Sequence, residues 1–566
     1  MDYIQKKTAD RAVEHFLLKA ADQEVSLAWD RYEGQLPECG FCESGLSCRD
    51  CLQGPCISHP FRDTNKVGVC GKDKDTLAAQ TLLRLVLKGS MAFLDQASEL
   101  VREVTTGAVE PKEKDRADRI VKDIQELISR GGGGAGSLNE LPEGLVDRWS
   151  NVGVFPEGLA RDLLKASQKL EGGICSVEQT LLWAFKSAVF GYLVQWLKFR
   201  LEQAVFGQNT PTYVDVNLGV LQTDTPNILL CGTISASLKK QILEKAKANN
   251  INVMGVCTNP LLTPFAISPV SNYGSQEIPL MTGAVDLVVA AEHYVNPSLK
   301  EVAKDWIVKV MNVNGLKAMT DLNGFAEEVV KKAQEAFDLR KDIPRDIPGV
   351  KETAVFGFTS GNLDVKKIAE ALSNGSIKGI AIFAGSNNVK FTQDRELTTI
   401  AEIFLQKDIL CISSGEASIG LAKYGFLNPG REKACGAGIK DLFSVIGDHL
   451  PAVIDCSSIV DFLFALSKVC EKPLSDCPIV AYFAEANRST EVTEAVALVA
   501  MGVSTYFWPY LPVTGSPKTV KALRDFCNET FGARLNVQTA RIEAAAKADL
   551  FLKTIEAPAP MSGKEW

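Results

Sequence analysis

Cys39-Gly-Phe-Cys42-Glu-Ser-Gly-Leu-Ser-Cys48-Arg-Asp-Cys51-Leu-Gln-Gly-Pro-Cys56, completed by Cys70, is the stretch around which the chain is organised. Six of the 15 cysteines fall between positions 39 and 70, where even spreading over the chain would place about one. Disulfides, zinc and iron–sulfur clusters are the candidate reasons. A chain of 566 residues buries ample core without disulfide staples. No charged-then-apolar leader precedes the cysteines and no run of eighteen apolar residues is found, so the chain reads as cytoplasmic with no membrane span. In that compartment thiols stay reduced and grouped cysteines bind metal.

The spacing Cys48-x2-Cys51-x4-Cys56-x13-Cys70 supplies three neighbouring thiolates and one returning, which suits a cubane 4Fe–4S cluster. The alternative is a structural zinc site, but zinc knuckles favour well-separated C-x2-C pairs. The four-residue gap and the Gly54-Pro55 turn favour iron. Cys39 and Cys42 are left as two ligands, half of what a cluster needs. A symmetric dimer would bring two such pairs together on its twofold axis.

The formal charge of −8 argues against a nucleic-acid surface. With 46% hydrophobic and 23% charged residues, the chain is ordinary globular material. Residues 1–36, 75–87, 98–130 and 176–205 carry helical periodicity, the last too often interrupted by charge to cross a bilayer. The run Gly131 to Gly136 reads as a flexible linker. Beyond Thr212 short apolar runs at 227–231, 251–257, 287–290, 354–358, 379–383 and 409–412 alternate with helical segments. This pattern predicts an α/β fold: a helical domain with cluster loops (1–210) and two Rossmann-like doubly wound domains (211–345 and 346–566), with ligands at the carboxyl ends of the strands.

Several signatures together resemble one family. Cys48-Arg-x-Cys51-x2-Gly-Pro-Cys56 with Cys70-Gly71 is similar to the N-terminal cluster region of nickel–iron carbon monoxide dehydrogenases, of the hybrid-cluster superfamily. The segments beginning at Val216 (VNLGVL), Thr282 (TGAVD), Gly385 (GSNN), Leu421 (LAKYG) and Pro512 (PVTGSP) resemble further family signatures in the family's order. The resemblance implies a homodimer, an electron-relay cubane at Cys48, Cys51, Cys56 and Cys70, and a dimer-bridging cluster at Cys39 and Cys42. The C-x2-C spacing there favours 2Fe–2S over 4Fe–4S. A ferredoxin-type redox partner would accompany such a relay.

The family's catalytic nickel–iron cluster is held by one His and five Cys. Matched by flanking residues, those positions are Thr233, Cys257, Tyr294, Ser386, Glu416 and Ile459 here, so only Cys257 keeps its type. The family's proton-handling histidines fall at Phe93 and Gln96, and its catalytic lysine near Thr490 or Glu491. The four histidines are His15, His59, His293 and His449, and none follows a glycine. Nickel and CO oxidation are therefore not expected, since Thr, Ser and Ile cannot replace thiolates on a soft metal.

Cys231, Cys257, His293, Cys411, Glu416 and Cys456 remain near the pocket. They are candidates for a rebuilt Fe–S or Fe–S–O cluster with Cys231, Cys257, His293, Glu416 and Cys456 as ligands, resembling the mixed-ligand cluster of hydroxylamine reductases. Cys257, His293 and Glu416 are the catalytic candidates. The competing reading makes Cys231, Cys411 and Cys456 small buried hydrophobes and the protein an electron-transfer or assembly protein without an active-site cluster.

Overall fold

Asp73 accepts from the Thr76 N–H and starts the helix Lys74–Thr105 (α1). This helix continues through Gly89-Ser90, where the sequence pattern breaks into two segments. Gly89 is there for packing, since a Cβ on it would strike Thr493 and the Ser489 carbonyl, and Ser90 Oγ is within hydrogen-bond distance of Val86 O and of Ser187 O of a facing helix, at 2.9 and 2.8 Å. Lys114–Arg130 (α2) follows, so the periodicity expected over 98–130 belongs to the last turns of α1 and the whole of α2. Val177–Phe206 (α3) starts from a Ser176/Gln179 capping box and is buried on nearly every face.

The computed structural model describes residues 6–59, 66–257, 261–262, 265–313, 321–385, 387–447, 450–470, 472–537 and 542–557. Its fold is α/β, a helical N-terminal region followed by two parallel sheets. Thr212–Val216 (β1) leads to the first sheet, made of Asn227–Cys231 (β2), Asn252–Val256 (β3), Ser268–Ser271 (β4), Leu287–Ala290 (β5) and Lys309–Asn312 (β6). The strand order is β6-β5-β2-β3-β4, parallel throughout. Side chains alternate between its two faces. Ile228 and Leu230 pack with the helices Ala236–Ala248 (α4) and Leu322–Leu339 (α5). Leu229 and Cys231 pack on the other face with the early helix Arg11–Asp22.

Glu352–Phe356 (β7) pairs antiparallel with β1. The second sheet then forms from Gly379–Ala384 (β8), Ile409–Ser413 (β9), Val453–Asp455 (β10), Ile479–Phe483 (β11), Ser504–Phe507 (β12) and Leu535–Asn536 (β13), in the parallel order β10-β9-β8-β11-β12-β13. Its central strands β8, β9 and β11 are fully buried, as continuous apolar runs covered on both faces should be. The helices that complete the description are Glu416–Ala422 (α6), Ile459–Cys470 (α7) and Ser489–Ala500 (α8).

One expectation needs correction. The glycine run is no free linker: a Cβ on Gly131 would stand 2.5 Å from the Glu157 backbone, and one on Gly132 would strike the Phe155 ring. Glycine is needed there so that the turn can lie against residues 155–157. Among the described residues one helix, α1, does have the length and apolarity to cross a membrane, yet 67% of its most apolar window is buried inside the fold, which is the situation of a core helix.

Candidate functional site

The cysteine loop folds on a two-residue antiparallel ladder that sets Cys48 opposite Cys56. Cys48, Cys51, Cys56 and Cys70 ring one small cavity, closed by Gly54, Gly68, Lys72 and Leu77. The Val69 N–H points at Cys56 Sγ (3.5 Å). Asp50 is gripped by Arg84 Nη2 at 2.7 and 2.8 Å, and Lys72 Nζ stands 3.7 Å from it. Burial pushes the Cys48 thiol up. Four sulfurs about a common space, with an amide and a lysine beside them, form a donor set that fits an anionic thiolate-bound cluster. Among the described residues no group of three or more His, Cys, Asp or Glu is arranged to hold a single ion, so the four thiols surround a space and do not meet at a point.

Cys39 caps the short helix Gly40–Glu43, and both Cys39 and Cys42 are exposed. Backbone and side-chain hydrogen bonds with Cys42 hold the Cys39 thiol below its ordinary range.

The second site lies where the carboxyl ends of the two parallel sheets face each other. A cavity of ≈310 Å³ is lined by the turns after β2, β3, β5, β8, β9, β10 and β11, and roofed by α1 and α3. Thr233, Cys257, Tyr294, Glu416 and Ile459, the residues that the resemblance aligns with cluster ligands, all line it, as do Phe93, Gln96, Thr490 and Glu491. Ser386 lies outside the described residues.

The expected Cys/His/Glu ligand set does not assemble here. His293 turns away: its ring is half-exposed and stands 3.3 Å from Asp95, while its carbonyl accepts from the Thr233 N–H (3.1 Å). Tyr294, at φ 65, takes the inward position and lines the cavity. Cys231 is fully buried in the apolar face of the first sheet beside Met254 and Val256, outside the cavity lining. Cys411 is likewise core, its thiol turned to Ile409 O (3.5 Å). Cys456 does line the cavity, its Sγ donating to Ser458 O (3.4 Å). Cys257 is held at φ 56, a conformation that costs a non-glycine residue energy and clusters at functional sites. Burial first, and the Glu416 charge second, keep its thiol well above the usual range.

What organises the inner cavity is Arg488, a residue the sequence reading passed over. Its Nη1 stands 2.9 Å from Glu416 Oε1, an ion pair without hydrogen-bond alignment, and its Nη2 donates to Glu491 Oε1 at 3.2 Å. The guanidinium lies over the Tyr294 ring, 4.5 Å from the centroid, and the Tyr294 hydroxyl donates to Thr490 (3.0 Å). Glu416 Oε2 accepts from the Tyr273 N–H (2.9 Å). Burial opposes charge on Arg488, but Glu416 and Glu491 outweigh it and hold the guanidinium protonated. One signal was available: an arginine at the start of a helix faces the positive end of the dipole, a local conflict of the kind that marks functional positions.

A helical region bearing a cysteine loop, joined to two parallel sheets that meet over a shared cavity, defines a metalloprotein scaffold class. The model of the Prismane/CO dehydrogenase family matches residues 46–130 and 112–541, and the chain belongs to that family. It is 28% identical to carbon monoxide dehydrogenase 2 of Carboxydothermus hydrogenoformans, covering 99% of each chain. It is 25% identical to the carbon monoxide dehydrogenase of Rhodospirillum rubrum, covering 94% of this chain and 95% of that one. Among solved structures, a nickel-free carbon monoxide dehydrogenase from Thermococcus sp. AM4 superposes with a TM-score of 0.91 at 24% identity over 98% of each chain. An acetyl-CoA synthase/carbon monoxide dehydrogenase whose structure is described with Fe4S4-containing clusters gives 0.90 at 22%, covering 99% of this chain and 95% of that one.

Proposed function

We propose that this chain is an iron–sulfur electron-carrying protein on a carbon monoxide dehydrogenase scaffold, with its catalytic cavity remodelled so that it does not oxidise CO. Cys48, Cys51, Cys56 and Cys70 would hold a 4Fe–4S relay. Cys39 and Cys42, exposed and apart from the other cysteines, would share a bridging cluster, 2Fe–2S, with the same pair of a second subunit. Such clusters supply one-electron storage and transfer. A ferredoxin-type cytoplasmic partner suits that task.

The observation that carries the reading is the buried Arg488–Glu416–Glu491 ion pairing in the cavity. A nickel–iron centre needs soft thiolates, and here a guanidinium with its two carboxylates occupies that end of the cavity. Of the mixed ligand set, Cys257, Glu416 and Cys456 reach the cavity, and Glu416 is already committed to Arg488. The reading without an active-site cluster is therefore favoured over a rebuilt one. Anaerobically purified protein is assayed for CO-dependent reduction of a viologen dye. No CO-dependent rate above a cluster-free control is expected, and a nickel-dependent rate would refute the proposal.

A further inference from the structure

β2 runs into α4 through residues 232–235, beside the point where the strand order of the first sheet reverses between β2 and β5. Gly232, Thr233, Ser235 and Ala236 line the cavity. Ser235 Oγ accepts from the Leu238 N–H (3.3 Å). Among the described residues the N–H groups of Ala236 and Ser237, also in this first turn, have no acceptor.

Lys239 stands one turn further on. It lines the same cavity and is 7% exposed, yet among the described residues its ammonium makes no hydrogen bond or ion pair. Its charged neighbours have partners of their own. Lys198 pairs with Glu202 at 2.7 Å on α3. Glu103 of α1 accepts from Ser237 Oγ at 2.6 Å, and burial pushes the carboxyls of Glu103 and nearby Glu99 up. Arg488 is held by Glu416 and Glu491. Burying a cation with no direct ion pair is destabilising; burial lowers the Lys239 ammonium to about 8 against the opposing charge of Glu202, which is itself paired with Lys198, so it remains mostly protonated at neutral pH.

We propose that the first turn of α4 together with Lys239 is a binding subsite for a small oxyanion, a carboxylate or phosphate-type group. Free amides at a helix N-terminus, the helix dipole and a cation converge where parallel sheets receive anionic ligands. The cavity of ≈310 Å³ has room for such a group with several waters at about 30 Å³ each. The inference gives the remodelled cavity of the proposed function a ligand class. Its test reads binding and not electron transfer, so the two can fail separately.

Calorimetric titration of the purified full-length protein uses inorganic phosphate and sodium formate as probes, with sodium chloride at matched ionic strength as the blank. Saturable binding of at least one probe is expected, phosphate marking a tetrahedral subsite and formate a carboxylate one. Lys239→Met should weaken it by about tenfold or more, and Lys239→Arg should retain it, with Lys239→Gln replacing the methionine variant if that does not fold. Wild-type protein that binds neither probe, or a neutral variant that binds as well as wild type, would overturn the proposal.

Discussion

Arg488 carries the chemistry of the inner cavity. Its loss leaves Glu416 and Glu491, both nearly fully buried, without compensation, and removing one partner of a buried ion pair costs about 3–5 kcal/mol. Arg488→Met should destabilise the protein by that much in urea unfolding, and adding Glu416→Gln should recover part of it. A loss below about 1 kcal/mol would mean that the cavity solvates these charges. Lys239 gives a pH signature of opposite sign. Burial lowers its ammonium from 10.5 to about 8, so between those values the unfolded chain binds more protons than the native one and stability rises with pH. Below about pH 8 the native state bears the full cost, about 3 kcal/mol. Lys239→Met should therefore be more stable than wild type at pH 7, and the gain should shrink as pH approaches 10. A gain independent of pH would show that the amine titrates normally. At this scale the sequence revealed which residues share the cavity, since flanking motifs located Thr233, Cys257, Tyr294, Glu416 and Ile459. It could not reveal which side chain of the pair His293-Tyr294 faces in, because that depends on distant partners, Asp95 for His293 and Arg488 and Thr490 for Tyr294. Nor could it join Glu416 to Arg488, which arrive on turns after different strands.

Among the elements, the close approach of α1 and α3 is the feature most exposed to test. A Cβ on Gly191 would lie 2.8 Å from the backbone and side chain of Ser90. Gly191→Ala should cost about 1–3 kcal/mol through forced separation of the two helices. Gly133→Ala, where an added Cβ meets nothing within 4 Å, should change stability by less than about 0.5 kcal/mol. Equal effects at the two sites would contradict the packing described. The strands were readable because buried parallel strands are continuous apolar runs bounded by turns. The helix boundaries were not: Gly89-Ser90 looks like a break, and Gly131 to Gly136 looks like a linker, until tertiary contacts with α8 and α3 and with residues 155–157 explain their small side chains.

Over the whole molecule, electrons are expected to enter and leave through the cysteine loop, while the cavity between the sheets takes no metal. Cys56→Ser should remove about four irons per chain and leave phosphate or formate binding at Lys239 unchanged, because the two sites share no lining residue. The most direct test is iron, sulfide and nickel counting on anaerobically purified protein, wild type beside Cys257→Ala. A cubane with half of a bridging 2Fe–2S cluster predicts about five irons per chain, no stoichiometric nickel and identical counts in the variant. Stoichiometric nickel, or iron beyond about six per chain that disappears with Cys257, would contradict the account.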